Sequence, residues 1–156
     1  MQSIQTALKA TWRARIIVEV ASHSSIPPDA EDLSTRNNME IEKAKRVDKP
    51  WGYELIYAVT EAYVGKILFI KKGERLSLQY HREKDETIYI YQGQIELQVG
   101  LKEDGLSVEV LSEGDAIRLK PLVLHRMKAL VDTFILEVST PQLKDVVRLE
   151  DDYGRA

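Results

Sequence analysis

The sequence predicts an all-β domain folded as a sandwich or a closed barrel. From Trp51 onward, short runs of valine, isoleucine, leucine, phenylalanine and tyrosine recur with turn residues between them. Alternation of apolar and polar residues, the pattern of a half-buried strand, is clearest at 95–99 and 106–110. Many short strands joined by tight turns are typical of these two architectures.

Residues 1–38 are predicted to form an extension and a linker ahead of a domain at 39–156. The first 22 residues are predicted to be helical, because apolar side chains recur on roughly one face: Ala7, Leu8, Trp12, Ile16 and Val20. We interpret this helix as an appendage or a dimer contact; a transit-like peptide and a partner-binding helix are the alternatives. Serine, proline and asparagine then predict a linker over 22–38.

Ten strands are predicted in the domain, and two tight turns are predicted to join hairpins. The strands lie near 53–59, 62–71, 75–81, 87–92, 94–100, 106–112, 115–119, 124–130, 133–138 and 145–149. The turns are at 91–94 and 102–105, each with a glycine at its third or fourth position.

Composition excludes several classes of protein. The chain has no cysteine, which excludes disulfides, thiolate metal sites and a cysteine nucleophile. Its net charge of −3 argues against a general nucleic-acid or membrane-surface binder. No apolar run approaches the roughly 18 residues that cross a bilayer. We therefore expect a cytoplasmic protein with a small-molecule partner.

Good metal-ligand types occur between Gly73 and Gly93. Gln79 and His81 are two residues apart, so in a strand they share one face, with Ser77 beside them. Glu86 follows after four residues, far enough for a turn to bring it back beside His81. A hydrogen-bonded polar network is the alternative to a metal site for these side chains.

A second histidine opens a later predicted strand. His125 shares its face with Met127 and Ala129, which are apolar, while Arg126 and Lys128 are predicted to point outward. An imidazole on an otherwise apolar face is a further candidate ligand.

The spacing of these residues resembles the two motifs of the cupin superfamily. Gly73-x5-Gln79-x-His81-x4-Glu86-x6-Gly93 is similar to the first motif, with Gln79 where the first histidine usually stands. The second motif keeps its glycine and histidine, and its proline, inner glycine and asparagine positions are occupied by Lys120, Leu122 and Ala129. The resemblance implies a double-stranded β-helix, a jelly-roll-like barrel, behind a short N-terminal helical extension.

Within cupins, the chain is similar to the barrel of phosphomannose isomerase type II over about residues 47–155. The matching stretches are 49–54, 73–81 and 146–155. The resemblance implies one divalent metal on Gln79, His81, Glu86 and His125. Such a donor set suits Zn²⁺, and Mn²⁺, Fe²⁺, Co²⁺ or Ni²⁺ are alternatives. Type II enzymes usually carry a pyrophosphorylase domain ahead of the barrel; about forty residues precede it here, so nucleotidyl transfer is not expected.

The implied activity is metal-dependent isomerisation of mannose 6-phosphate and fructose 6-phosphate through an enediol. Lys84 is the candidate to neutralise enediolate charge, or to shuttle a proton if burial lowers its pKa. Arg148 resembles the family's active-site arginine, which would hold an enediolate or a phosphate. Ser77 and Arg155 are further substrate-binding candidates. For the general base, Glu83, Asp151 and a hydroxide on the metal stay open.

Both the roles of these residues and the function have alternative interpretations. Lys84 as an ordinary turn charge and Arg148 paired with Glu150 or Asp151 are the structural alternatives. A non-catalytic metal- and sugar-binding cupin is the first rival function, and a metal-dependent oxygenase is the second. Because exposed edge strands invite pairing, we also expect a homodimer.

Overall fold

The computed structural model describes residues 41–155, and these form eleven β-strands and one 3-10 turn. The predicted helix over 1–22 and the linker over 22–38 lie outside the described residues. The turn is Glu103–Gly105, and the strands are β1 Lys45–Lys49, β2 Gly52–Val59, β3 Val64–Ile70, β4 Leu78–Tyr80, β5 Glu86–Gln92, β6 Gln94–Gly100, β7 Ser107–Ser112, β8 Ala116–Leu119, β9 Leu124–Ala129, β10 Thr133–Ser139 and β11 Val147–Glu150.

The strands form two antiparallel sheets. One sheet has the order β1-β2-β3-β10-β5-β8, and the other has the order β11-β4-β9-β6-β7. Inward side chains of both sheets make a single apolar core: Trp51, Leu68, Ile70, Ile88, Ile90, Ile95, Leu97, Leu119, Met127, Ala129 and Ile135. The predicted all-β class and jelly-roll-like barrel are confirmed. No helix in the described part of the chain has the length and apolar character that crossing a bilayer requires.

The first strand has no counterpart in the sequence prediction. Four of the five residues of β1 (Lys-Arg-Val-Asp-Lys) are charged, so the apolar alternation that marks a strand is missing. Its backbone pairs with β2 from Lys45↔Ile56 to Lys49↔Gly52, at the edge of the six-stranded sheet. Charged residues are a common feature of edge strands, where they discourage pairing with other chains.

The predicted hairpin at 91–94 is wrong. The strands on either side of Gly93 belong to different sheets, because β5 pairs with β8 and β10 whereas β6 pairs with β7 and β9. Gly93 has φ +101°, and a Cβ there would lie 2.7 Å from the carbonyl oxygen of Asp132. The glycine therefore forms a corner between the sheets. The second predicted hairpin is confirmed, since the 3-10 turn joins the paired strands β6 and β7.

The side chains of β9 follow the predicted alternation, but one outward residue is buried as well. His125, Met127 and Ala129 are buried on the inward face. Arg126 is only 5% exposed because it pairs with Glu150 at 2.9 Å and donates to the carbonyl of Leu76. The outward side chain of Arg126 is thus buried against β11, where Glu150 lies.

Leu122 holds a backbone conformation that favours glycine. Its φ is +68°, the one positive value at a non-glycine among the described residues. It occupies the inner glycine position of the second motif, so the turn forms without the glycine. Its side chain is 60% exposed, and its N–H donates to the carbonyl of His81 at 2.7 Å.

Leu122→Gly is expected to stabilise the protein by about 0.5–1 kcal/mol, because the strain on a left-handed residue exceeds the entropic cost of glycine. Urea unfolding measures the change. Leu101→Gly is the matched control, since Leu101 is 75% exposed and has no positive φ. Equal destabilisation by both substitutions would contradict the argument.

Candidate metal centre

Both sheets contribute side chains to one buried cluster. Gln79 lies in β4 opposite His125 in β9, and His81 follows one residue after the end of β4. Glu86 is the first residue of β5 in the other sheet. His81, Glu86 and His125 are each 3% exposed or less, and their ligand atoms lie within 4.8 Å of one another. The structure therefore brings these three candidate ligands together, with Gln79 beside them.

Both imidazoles are held by backbone carbonyls. The Nδ1–H of His125 donates to the carbonyl of Val123 at 3.0 Å, and that of His81 donates to the carbonyl of Asp145. With the proton on Nδ1, each Nε2 keeps its lone pair. Burial lowers the pKa of His125, which favours the neutral ring. This is the arrangement in which a histidine that binds metal through Nε2 is oriented by its other nitrogen.

The lone pairs converge on one carboxylate oxygen. The Nε2 atoms of His81 and His125 lie 3.5 and 3.3 Å from Oε1 of Glu86. Nε2 of His81 is buried and has no hydrogen-bond partner among the described residues. Three lone-pair donors around one point repel each other unless a cation lies between them. Two imidazoles and a carboxylate are also typical ligands of Zn²⁺, so the residues fit a divalent metal.

Gln79 is placed differently from the other candidates. Its Oε1 accepts a hydrogen bond from Ser77 at 2.7 Å, and its Nε2 lies 3.4 Å from Nε2 of His125. The amide oxygen and nitrogen are interchangeable in such an assignment. Rotating the amide by 180° brings the oxygen towards His125, where it would complete a four-ligand set.

Lys84 is buried between two carboxylates. It is 4% exposed and donates to Oε2 of Glu86 and, at 2.7 Å, to Oε1 of Glu137. Burial alone would lower the pKa of Lys84, but the charges of Glu137 and Glu86 outweigh burial and raise it. The side chain is therefore a fixed positive charge, and the lowered pKa that a proton shuttle needs is not found.

The ionised state of Glu86 follows from the same contacts. Burial alone would raise the pKa of Glu86, but the positive charge of Lys84, which donates to Oε2, favours the ionised carboxylate, and the pKa is lowered. Oε2 is occupied by Lys84, while Oε1 faces the two imidazoles. A metal would therefore meet an ionised carboxylate through one oxygen.

Sequence reasoning missed a second buried pair beside the site. Lys66 in β3 and Glu137 in β10 are register partners with side chains 3.3 Å apart, and both are under 10% exposed. Each is the single charged residue in an inward row that is otherwise apolar or small: Val64, Leu68 and Ile70 in β3, and Thr133, Ile135 and Ser139 in β10. An isolated charge in such a row was the signal that could have found them.

A cavity of about 260 Å³ opens beside the cluster. Its lining includes the proposed ligands Gln79, His81 and Glu86, the proposed site residues Ser77, Lys84, Arg148 and Arg155, and also Lys49, Trp51, Glu54, Lys66 and Glu137. Ser77 is buried, whereas Arg148 lies on exposed β11 opposite Gln79. A cavity with buried charges in its wall is a candidate ligand site.

Three of the predicted residues are already engaged or lie elsewhere. Arg155 lines the cavity, but its guanidinium pairs with Asp151. This hydrogen bond, with help from backbone donors, lowers the pKa of Asp151 to about 2, which makes it a poor base. Glu83 is exposed and is not part of the cavity wall. Apart from Glu86, the carboxylates in the wall are Glu54 and Glu137.

The barrel and its buried histidine–glutamate cluster define the chain as a cupin. A solved structure described as an RmlC-like cupin, from Shewanella frigidimarina, superposes with a TM-score of 0.55 at 19% identity, covering 63% of this chain and 84% of that one. The chain belongs to the family described as mannose-6-phosphate isomerase C-terminal, which it matches over residues 36–151.

Two curated relatives are much longer proteins. Xanthan biosynthesis protein XanB of Xanthomonas campestris is 28% identical over 116 residues, which are 71% of this chain and 24% of that protein. Mannose-1-phosphate guanylyltransferase ManC of Salmonella typhimurium is 27% identical over 151 residues, which are 93% of this chain and 30% of that protein. The chain thus spans 24% and 30% of the length of these two relatives.

Proposed function

We propose that this protein is a metal-dependent isomerase of a sugar phosphate, interconverting mannose 6-phosphate and fructose 6-phosphate through an enediol. The observation that carries the proposal is the convergence of His81, Glu86 and His125, with Gln79, beside a cavity lined by lysines and arginines. Membership of a family named for mannose-6-phosphate isomerase supports the choice of substrate.

The donor set favours Zn²⁺, with Mn²⁺, Fe²⁺, Co²⁺ and Ni²⁺ as alternatives. When bound, the ion would supply Lewis-acid stabilisation of negative charge on the sugar oxygens. His81, Glu86 and His125 would hold it, and Gln79 would join them after rotation of its amide. The rotated amide would then donate to Oγ of Ser77, which frees the Ser77 hydroxyl hydrogen to donate to the substrate.

The charges of the wall suit an anionic substrate. Lys66, Lys84, Glu86 and Glu137 cancel in formal charge, so the divalent ion leaves this cluster with a charge of about +2. Arg148 forms no ion pair with another described residue, so its planar fork is available for a phosphate or an enediolate. Lys84 would stay protonated and stabilise the enediolate by its charge. Of the two other carboxylates in the wall, Glu137 is held by Lys66 and Lys84, so Glu54 would be the one to move the proton between C1 and C2.

Proton NMR of fructose 6-phosphate in D₂O tests this function. Zinc-loaded protein is expected to exchange deuterium into C1 and to produce mannose 6-phosphate, and His81→Ala is expected to abolish both. Absence of exchange with each of the five metals would overturn the isomerase proposal. Sugar binding without exchange would instead identify the non-catalytic rival, and oxygen uptake by the iron form would identify the oxygenase.

The homodimer stays a prediction, to be measured by light scattering.

A further inference from the structure

Asp145, which lies outside both cupin motifs, accepts four hydrogen bonds from His81 and the three residues that follow it. Asp145 lies in the connection between β10 and β11. Its carboxylate accepts hydrogen bonds from three consecutive backbone amides, those of Arg82, Glu83 and Lys84, at 3.0, 2.6 and 2.8 Å. Burial alone would raise the pKa of Asp145, but these donors outweigh it and hold the pKa at about 2. The fourth contact is its own carbonyl, which accepts the Nδ1–H of His81.

The three amides belong to the turn that separates two candidate ligands. His81 precedes the turn, and Glu86 follows it after Asp85. Fixing these amides fixes the path of the chain between the two ligands, and it also sets the position of Lys84. The carbonyl contact selects the tautomer of His81 that leaves Nε2 free for a metal.

The connection is also attached at its other end. Thr140 and Asp85 exchange two hydrogen bonds, from the N–H of Thr140 to the carbonyl of Asp85 and from the N–H of Asp85 to Oγ1 of Thr140, at 3.0 and 3.1 Å. The segment 140–145 therefore holds the turn 82–85 from one end to the other. Such contacts are made only in the folded chain, because more than fifty residues separate the two segments.

We infer that Asp145 is the positioning residue of the metal centre: its carboxylate caps the turn between His81 and Glu86 while its carbonyl orients His81. The inference rests on the proposed metal site and not on the isomerase activity. Without the Asp145 carboxylate both ligands remain, but the turn between them is no longer fixed. Metal binding must then order the turn, so the affinity for the metal falls. Partners that orient a ligand typically contribute 10–100-fold in metal affinity.

Titration of the metal-free protein with Zn²⁺ tests the inference in Asp145→Asn and Asp145→Ala. Both variants keep the backbone carbonyl on His81, so the test isolates the carboxylate. We expect zinc affinity to fall about 10–100-fold, and Asp145→Ala should bind zinc more weakly than Asp145→Asn. Hydrogen exchange of the amides of Arg82, Glu83 and Lys84 is expected to accelerate in the metal-free state.

Asp85→Asn is the matched control, because Asp85 lies in the same turn and its carboxylate pairs with Arg118 on the exterior. Its zinc affinity should stay within about twofold of the wild type. Wild-type affinity in a folded Asp145 variant, or an equal loss in the control, would overturn the inference. If Asp145→Ala does not fold, Asp145→Asn decides. Failure of the wild-type protein to bind zinc would instead overturn the metal centre itself.

Discussion

Replacing His125 with alanine is expected to weaken zinc binding by more than about 100-fold. The substitution removes one of three converging ligand atoms, a larger loss than removal of a group that only orients a ligand. At a zinc concentration of 100 times the dissociation constant, the wild-type protein should gain about 2.7 kcal/mol of stability. The variant should gain almost none at that concentration, and thermal unfolding with and without zinc measures the difference.

Met127→Ala separates this effect from damage to the core. Met127 is the next inward residue of β9 and is 3% exposed. Truncating it should destabilise the metal-free protein by about 2–5 kcal/mol. Its zinc-induced gain in stability should nevertheless stay close to that of the wild type. If His125→Ala keeps the wild-type gain, the histidine is not a ligand.

Lys84→Met is expected to change stability and zinc affinity in opposite directions. In the metal-free protein it leaves the buried carboxylates of Glu86 and Glu137 without their shared cation, which should cost about 3–5 kcal/mol. Removing a positive charge beside the site should strengthen zinc binding by at least about tenfold, because two unit charges 4 Å apart interact by about 4 kcal/mol near a protein surface. Denaturant unfolding and zinc titration measure the two effects.

Lys66→Met is the control for that experiment. Lys66 is also buried and pairs with Glu137, but its charge is not shared with Glu86. The Lys66→Met variant should be less stable than the wild type, and its gain in zinc affinity should be smaller than that of Lys84→Met. Weaker zinc binding in Lys84→Met would show that Lys84 supports the metal site rather than opposing the metal's charge.

Local spacing predicted the strands and the shared face of Gln79 and His81, whereas the cupin barrel and the place of His125 in the ligand set came from the resemblance to the two cupin motifs. The period of two in strands places Ser77, Gln79 and His81 on the cavity side, as the structure shows. The four-residue gap to Glu86 leaves room for the turn that returns the chain to His81. The motif at fixed spacing therefore identifies Gln79, His81 and Glu86, but not the distant strand that supplies His125.

The features that were missed depend on contacts distant in sequence. Gly93 looks like a hairpin glycine, but the pattern cannot tell which strands pair beyond it. The sequence around Asp145 contains no motif that marks it as part of the site. Its role arises because the fold brings three backbone amides, from a turn about sixty residues earlier, to its carboxylate. β1 was missed for the opposite reason: its charges are those of an edge strand, and its pairing with β2 needs no apolar pattern.

X-ray absorption spectroscopy of the zinc-loaded protein is the most direct measurement of the proposed centre. One ion per chain is expected, with nitrogen and oxygen ligands at about 2.0–2.2 Å and the scattering of two imidazoles. His125→Ala, where it still binds zinc, should show one imidazole. A stoichiometric site without imidazole scattering, or no zinc retained at all, would contradict the assignment of His81, Glu86 and His125 as the metal ligands.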